Sequence, residues 1–196
     1  MILTVNAGAL VGVDADSGEP LFLHEHYTSY GANVTMPIFH EGRVFISSGY
    51  GSGSELVGLE VEGRKVNIKS IWKSGRLDNH HGGIILSGGH LYGTSSRGRW
   101  LCLDWETGQI KYEEKGVGKG SLTMADGMLY MLSEKRKLGL ARPTPAGLEF
   151  AGRFTVPSGG KGPTWAHPVV RGGCLYVRHG DRLYAYDVRA EQPQSQ

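Results

Sequence analysis

The sequence predicts an all-β fold, a β-propeller of four-stranded antiparallel blades, and three observations carry that prediction. Glycine occurs 31 times in 196 residues while aromatics make up only 9%, a balance that suits many short strands joined by tight turns. Apolar residues alternate over short runs, as in Arg43-Val44-Phe45-Ile46 and Gly89-His90-Leu91-Tyr92, and turn formers interrupt nearly every stretch before a long helix could form. One phrase then recurs about every 44 residues, the mark of a stacked repeat.

The phrase begins each repeat as a hairpin: an apolar run, a Gly-containing turn, and two apolar or aromatic residues. Its four copies are Pro37 to Phe45, Ile84 to Tyr92, Leu122 to Tyr130 and Pro168 to Tyr176. Their anchor glycines, Gly42, Gly89, Gly127 and Gly173, lie 47, 38 and 46 residues apart, and each supplies the positive φ that a tight turn demands. A third strand follows at Leu10-Val11-Gly12, Leu56-Val57-Gly58, Leu101-Cys102-Leu103, Leu138-Gly139-Leu140 and Leu183-Tyr184-Ala185. In two copies it runs into Asp14-Ala15-Asp16-Ser17-Gly18 and Asp104-Trp105-Glu106-Thr107-Gly108, where Asp14 and Asp104 can accept backbone amides and Gly18 and Gly108 reverse the chain. A fourth strand ends in a bulky residue, Phe22, Trp72, Tyr112 or Phe154.

Sheets of this kind are apolar on both faces and must stack on one another. The repeats divide the chain into a partial blade at 1–31, complete blades at 32–77, 78–116 and 117–162, and a second partial blade at 163–190. The tail, 191–196, has nothing to bury and is expected to be disordered. The first unit lacks its outermost leading strand and the last stops after its third. The simplest reading is the C-terminal half of a ring of seven or eight blades, so that the partners are the missing blades or a second copy of the chain; a self-contained five-blade ring is the alternative.

A formal charge of +2, with no block of five or more Lys or Arg, argues against nucleic acid as a partner. Cys102 and Cys174 each lie in an apolar strand and read as small buried hydrophobes; no CxxC or CxxCH is present. Residues 1–5 are too short and uncharged for a signal peptide, and no stretch is long and apolar enough for a membrane span. No GxSxG offers a serine nucleophile.

Gly12-x-Asp14-x-x-Ser17-Gly18-x-x-x-Phe22 and Cys102-x-Asp104-x-x-Thr107-Gly108-x-x-x-Tyr112 resemble the tryptophan-docking motif AxDxxTGxxxW of pyrroloquinoline quinone (PQQ) dehydrogenases and PQQ-like repeat proteins. Ala185-x-Asp187 looks like a third copy. As repeats, the resemblance covers nearly the whole chain, and it is greatest to the C-terminal part of bacterial PQQ-binding-like propellers. Phe22 and Tyr112 stand where the motif has tryptophan and lack its indole donor. In the quinoprotein alcohol dehydrogenases the family implies an adjacent cysteine pair, a Ca²⁺ held by carboxylate and amide side chains, and an Asp base. Cys102 and Cys174 are not such a pair, and no Asp or Asn here maps onto those roles by motif. Other members of the group are scaffold lipoproteins of outer-membrane assembly, which bind no quinone. The resemblance thus implies an extracytoplasmic, for example periplasmic, location and leaves two functions: a non-catalytic binding or assembly platform, or a quinoprotein-type oxidoreductase fragment binding PQQ with Ca²⁺.

The residues with the densest chemistry fall in the loops that enter the first strand and join the second to the third, which gather at one mouth of a propeller. They are His80, His81, Lys119, Lys161, Trp165 and His167 on the entering loops and Arg97 and His179 on the facing ones. Counted back from the anchor glycines, Val34, His81, Lys119 and Trp165 are equivalent and should form one ring around the axis. A small anionic ligand would find charge partners in Lys119, Lys161 and Arg97, a stacking face in Trp165 and proton donors in the histidines; a protein is the other candidate partner. Several of these residues also have plainer roles. In extended chain His80 and His81 point to opposite sides, so no metal site is assigned. Trp165 and His167 suit packing at the centre of a propeller, Asp78-Asn79 suits a turn, and Lys135-Arg136-Lys137 suits a solvated loop tip. Gly116-Val117-Gly118-Lys119-Gly120 lacks the GKS or GKT ending of a phosphate loop and the helix that follows it.

Overall fold

The computed structural model describes residues 1–189; the tail and its expected disorder lie outside the described residues. Among the described residues eighteen strands form five antiparallel sheets. The first holds β1 (Ile2–Val5), β2 (Ala9–Val13) and β3 (Pro20–Glu25), followed by one 3₁₀ turn at Ser29–Gly31. The second holds β4 (Ile38–His40), β5 (Arg43–Ser48), β6 (Gly53–Glu62) and β7 (Lys65–Ser74). The third holds β8 (Ile84–Ser87), β9 (His90–Thr94), β10 (Trp100–Asp104) and β11 (Ile110–Glu114). The fourth holds β12 (Gly120–Ala125), β13 (Met128–Ser133), β14 (Lys137–Thr144) and β15 (Gly147–Thr155), and the fifth holds β16 (Val169–Arg171), β17 (Cys174–His179) and β18 (Arg182–Asp187). In every sheet the strands pair in chain order, as successive hairpins require.

Each anchor glycine turns a hairpin, with φ of 74° at Gly42, 72° at Gly89, 72° at Gly127 and 76° at Gly173. The register between second and third strands equates Leu56, Cys102, Leu140 and Ala185, which face Phe45, Tyr92, Tyr130 and Tyr176, and Gly12 occupies the same place opposite Leu3. Four of the five sheets carry a bulge immediately after that residue, between third and fourth strands. Across the bulge the partners are Phe22, Trp72, Tyr112 and Gly152. The bulky fourth-strand residue expected at Phe154 is therefore two positions away from the docking place, which Gly152 fills. Phe154 is part-exposed against Tyr186, 4.8 Å between ring centres.

Trp72 makes the motif's interaction in full. Its Nε1–H donates to the Trp105 carbonyl at 2.9 Å, inside the Asp104–Gly108 turn of the next sheet. Gly108 has φ +69°, and a Cβ there would fall 2.6 Å from the Trp72 ring, so both the turn and the docked indole require glycine. Asp104 Oδ1 accepts from Thr107 N at 3.0 Å and Thr107 Oγ1 at 2.9 Å, and Asp14 Oδ1 accepts from Ser17 N at 2.9 Å and Asp16 N at 3.1 Å. Asp187 instead pairs with the Arg189 side chain, which holds its carboxyl down to about 2. Phe22 docks without a polar handle. It packs over Gly12 among Leu10, Val44, Ile46 and Val57, between the first and second sheets.

Four apolar layers lie between the five sheets. Leu56, Leu77, Leu101 and Trp105 fill the second, Trp100, Cys102, Leu129 and Met131 the third, and Leu132, Leu138, Leu175 and Val177 the fourth. Burial pushes the Cys102 thiol up to about 11, which leaves it a protonated filler. The leading strands β8, β12 and β16 lie next to one another, as do β3 with β7 and β11 with β15 at the opposite edge of their sheets. Among the described residues β1 is an open edge of the first sheet and β18 an open edge of the fifth. Among the described residues no helix is long and apolar enough to cross a membrane.

Candidate functional site

Loops between sheets and loops between second and third strands meet on one face, and there they build a row of rings. Tyr30 packs edge-on to Tyr50 at 5.1 Å, Tyr50 to His80 at 4.7 Å, His80 to His81 at 5.1 Å, and His81 against Trp165 at 5.5 Å. The ends of the row are open, Tyr30 being 88% exposed and Trp165 53%. The two histidines were expected to point apart, but their rings are neighbours because residues 78–83 form a bent loop rather than extended chain.

An ionic cluster fixes the middle of the row. His80 Nδ1 lies 2.9 Å from Lys119 Nζ, and Nε2 lies 2.8 Å from the Tyr50 hydroxyl. A lysine ammonium only donates, so Nδ1 accepts and the neutral ring carries its proton on Nε2, aimed at Tyr50. Partial burial, then the charges of Lys119 and His81, hold the His80 pKa below its usual 6.5. His81 Nε2 meets Glu134 Oε1 at 2.8 Å, and the same oxygen is 3.4 Å from Lys119 Nζ. Burial alone would raise the Glu134 carboxyl; the His81 hydrogen bond and Lys119 outweigh it and hold the group below the usual range. The other His81 nitrogen, Nδ1, is buried without a partner among the described residues.

Of the residues expected at the mouth, His80, His81, Lys119 and Trp165 come together. Val34, His167, Lys161 and His179 do not join them, and Arg97 meets only Lys119. Val34 lines a separate 300 Å³ cavity with Ile84 and Leu122. His167 lies on the same cavity and ties elements together, its ring nitrogens each 3.1 Å from the carbonyls of Leu122 and His81. Lys161 donates its backbone N–H to Asp181 at 2.9 Å beside the fifth sheet, where His179 also sits with a buried Nδ1 that has no partner among the described residues. Arg97 makes no contact with the ring row but lines a cavity between the third and fourth sheets that Lys119 and Glu134 also line.

Asp78 and Asn79 do more than initiate a turn. Asn79 is fully buried; Oδ1 accepts from Thr35 Oγ1 at 2.7 Å and Gly83 N at 3.1 Å, and Nδ2 donates to Thr94 O at 2.8 Å. Asp78 accepts from Ser96 N at 3.1 Å and from the Ser96 hydroxyl. Together they hold the His80-His81 loop to both flanking sheets. Glu134 and Tyr50 were missed by sequence reasoning because their partners lie 53 and 30 residues away, and no local pattern encodes such contacts.

The donor set does not fit a Ca²⁺-bound quinone. Among the described residues no three His, Cys, Asp or Glu side chains converge on one point. The carboxylate at the row, Glu134, is already engaged by His81 and Lys119, and the thiol of Cys102 is buried in β10.

Stacked four-stranded sheets with a docked fourth-strand aromatic define a propeller repeat protein of the PQQ-like class. Residues 1–114 match the family model described as outer membrane protein assembly factor BamB, and the chain belongs to that family. The fold is similar to the crystal structure of BamB from Moraxella catarrhalis, with a TM-score of 0.66 at 14% identity over 93% of this chain and 54% of that one. It is similar as well to the computationally designed Ika8 protein, with a TM-score of 0.65 at 8% identity over 92% of this chain and 53% of that one. The chain thus spans about half the length of these structures. No curated protein sequence gives a significant match.

Proposed function

We propose that this chain is part of a non-catalytic propeller platform that holds a protein partner in outer membrane protein assembly, on the extracytoplasmic side, through its loop face. One observation carries the reading: the continuous row from Tyr30 to Trp165, whose exposed ends offer rigid aromatic area around a fixed polar centre. Tyrosine and tryptophan are the residues on which protein interfaces concentrate their energy. The family's described role in outer membrane protein assembly supports a protein as the occupant. His80, His81, Lys119 and Trp165 then serve as recognition groups, while Lys161, His167, Arg97 and His179 lie outside the row.

The sheets at the two ends of the stack support the expected blade division of residues 1–189. Leu23 is 67% exposed and Leu183 68%, on sheets that have a stacked neighbour on one side only. Further blades are the occupants that suit these faces and the open edges of β1 and β18, since the Moraxella structure extends well beyond the part matched here.

The test is reconstitution with the protein components of the assembly machinery, measuring affinity for wild type and for Tyr30→Ala and Trp165→Ala. Each truncation is expected to cost about 2 kcal/mol, or roughly thirtyfold in Kd. Wild-type affinity in the double variant would overturn the reading.

A further inference from the structure

The loop face holds a second, chemically different feature beside the aromatic row. Between the third and fourth sheets, the loops 95–99, 115–119 and 133–137 enclose a cavity of about 500 Å³. Six basic side chains line it: Arg97, Arg99, Lys115, Lys119, Lys135 and Lys137. Glu134 is the only acidic residue lining it and is committed to His81 and Lys119. Arg99 is held by Glu113, through the carboxylate at 3.6 Å and the carbonyl at 3.0 Å. Among the described residues Arg97, Lys115, Lys135 and Lys137 make no ion pair. A chain with a formal charge of only +2 therefore concentrates four uncompensated cations around one concavity, where like charges repel and a positive potential is focused.

The walls are fixed although the cationic tips are free. Trp100 Nε1–H donates to the Gly118 carbonyl at 2.9 Å, Glu134 N donates to the Lys119 carbonyl at 2.8 Å, and the Arg136 guanidinium donates to the Val156 carbonyl at 2.8 Å. Gly98 lets the 95–99 loop approach Lys119, since a Cβ there would stand 3.0 Å from the Lys119 amide nitrogen. The cavity size is that of small-ligand sites, and clustered lysines with an arginine suit tetrahedral oxyanions of high charge.

We propose that this groove binds a multiply charged phosphoryl anion, carried either by a free phosphorylated molecule or by a lipid headgroup. The inference goes beyond the protein-platform reading. It shifts the anion site away from the histidines, where an anion is expected from sequence, onto a groove of whose residues sequence reasoning gave only Arg97 and Lys119 to a ligand and read Lys135 and Lys137 as a solvated loop tip.

Calorimetric titration with pyrophosphate at low salt, together with flotation on phosphatidylcholine vesicles with and without phosphatidic acid, whose phosphomonoester can carry two charges, tests it. The variants are Arg97→Gln with Lys135→Gln, and Lys115→Gln with Lys137→Gln; all four residues are exposed, and an unchanged thermal midpoint shows that folding is intact. Pyrophosphate binding that falls about tenfold or more in each double variant, and weakens steeply with salt, is the expected result. If anionic vesicles bind and pyrophosphate competes, the source is a headgroup; if pyrophosphate binds and vesicles do not, it is a free ligand. Absence of both, or binding that persists in the variants, overturns the proposal. Tyr30→Ala should titrate with pyrophosphate as wild type does. Loss of the anion in that variant would place it on the aromatic row and also overturn the proposal, whereas a failed pyrophosphate titration leaves partner binding by the row untouched.

Discussion

Asn79 shows how much of the loop face rests on one side chain. It is fully buried, and its amide satisfies the Thr35 hydroxyl, the Gly83 N–H and the Thr94 carbonyl at once. Removing it leaves buried polar groups without partners, each of which costs about 1–3 kcal/mol. Asn79→Ala is therefore expected to destabilise the chain by about 3 kcal/mol in urea unfolding, against well under about 1 kcal/mol for an exposed change such as Lys135→Ala. A change of similar size in both would remove Asn79 from this role. The pair Asp78-Asn79 is legible in the sequence as turn chemistry. Its clamp function is not, since it depends on Thr35 and Ser96, 44 and 18 residues from their partners.

At the scale of the element, the Asp104–Gly108 turn works as a unit with Trp72 from the preceding sheet. Asp104→Ala removes the acceptor of two hydrogen bonds from Thr107 and should cost about 1 kcal/mol. Gly108→Val adds a branched side chain where φ is positive and the Trp72 ring already occupies the space, so its cost should be clearly larger, about 2–4 kcal/mol. Chemical denaturation of the two variants checks the order; a Gly108→Val change milder than Asp104→Ala would contradict the docking account. The hairpins and the Asp-containing turns follow from local sequence because glycine and aspartate act on their own backbone. Trp72 illustrates the remainder. Its spacing marks a fourth strand, but its carbonyl partner belongs to another sheet, and Phe154 has similar spacing yet pairs with Leu138, two positions past the docking place, where Gly152 stands opposite Leu140.

The whole molecule should respond to acid in one direction. Burial holds His26 and His80 below 6.5, so the unfolded chain takes up protons that the folded chain resists; stability is undiminished above that value and declines as pH falls through it. Glu55 and Glu134 sit below their usual 4.5 because their partners outweigh burial, so their contribution is present above that value and is lost as pH falls further. Thermal midpoints are expected to be level at neutral pH and to fall in two stages on acidification, with the first stage reduced in His26→Gln and His80→Gln. A midpoint that rises between neutral and mildly acidic pH would contradict this assignment. At the same scale, stacking determines that the aromatic row and the cationic groove share one face: loops from successive repeats are brought together only when the sheets pack.

The sequence by itself determined the repeat, the strands and their hairpins, and the antiparallel order within each sheet, because alternation and turn residues act over a few neighbouring positions. It also carried the family resemblance, through Asp14, Gly18, Asp104 and Gly108. Tertiary structure decided which of the chemically active loop residues meet. His80, His81, Lys119, Glu134 and Trp165 are separated by up to 85 residues, and Arg97 joins Lys115, Lys135 and Lys137 rather than the histidines. The reason is geometric: a side chain's partners in a stacked repeat lie one blade away, at a distance along the chain that no local pattern records.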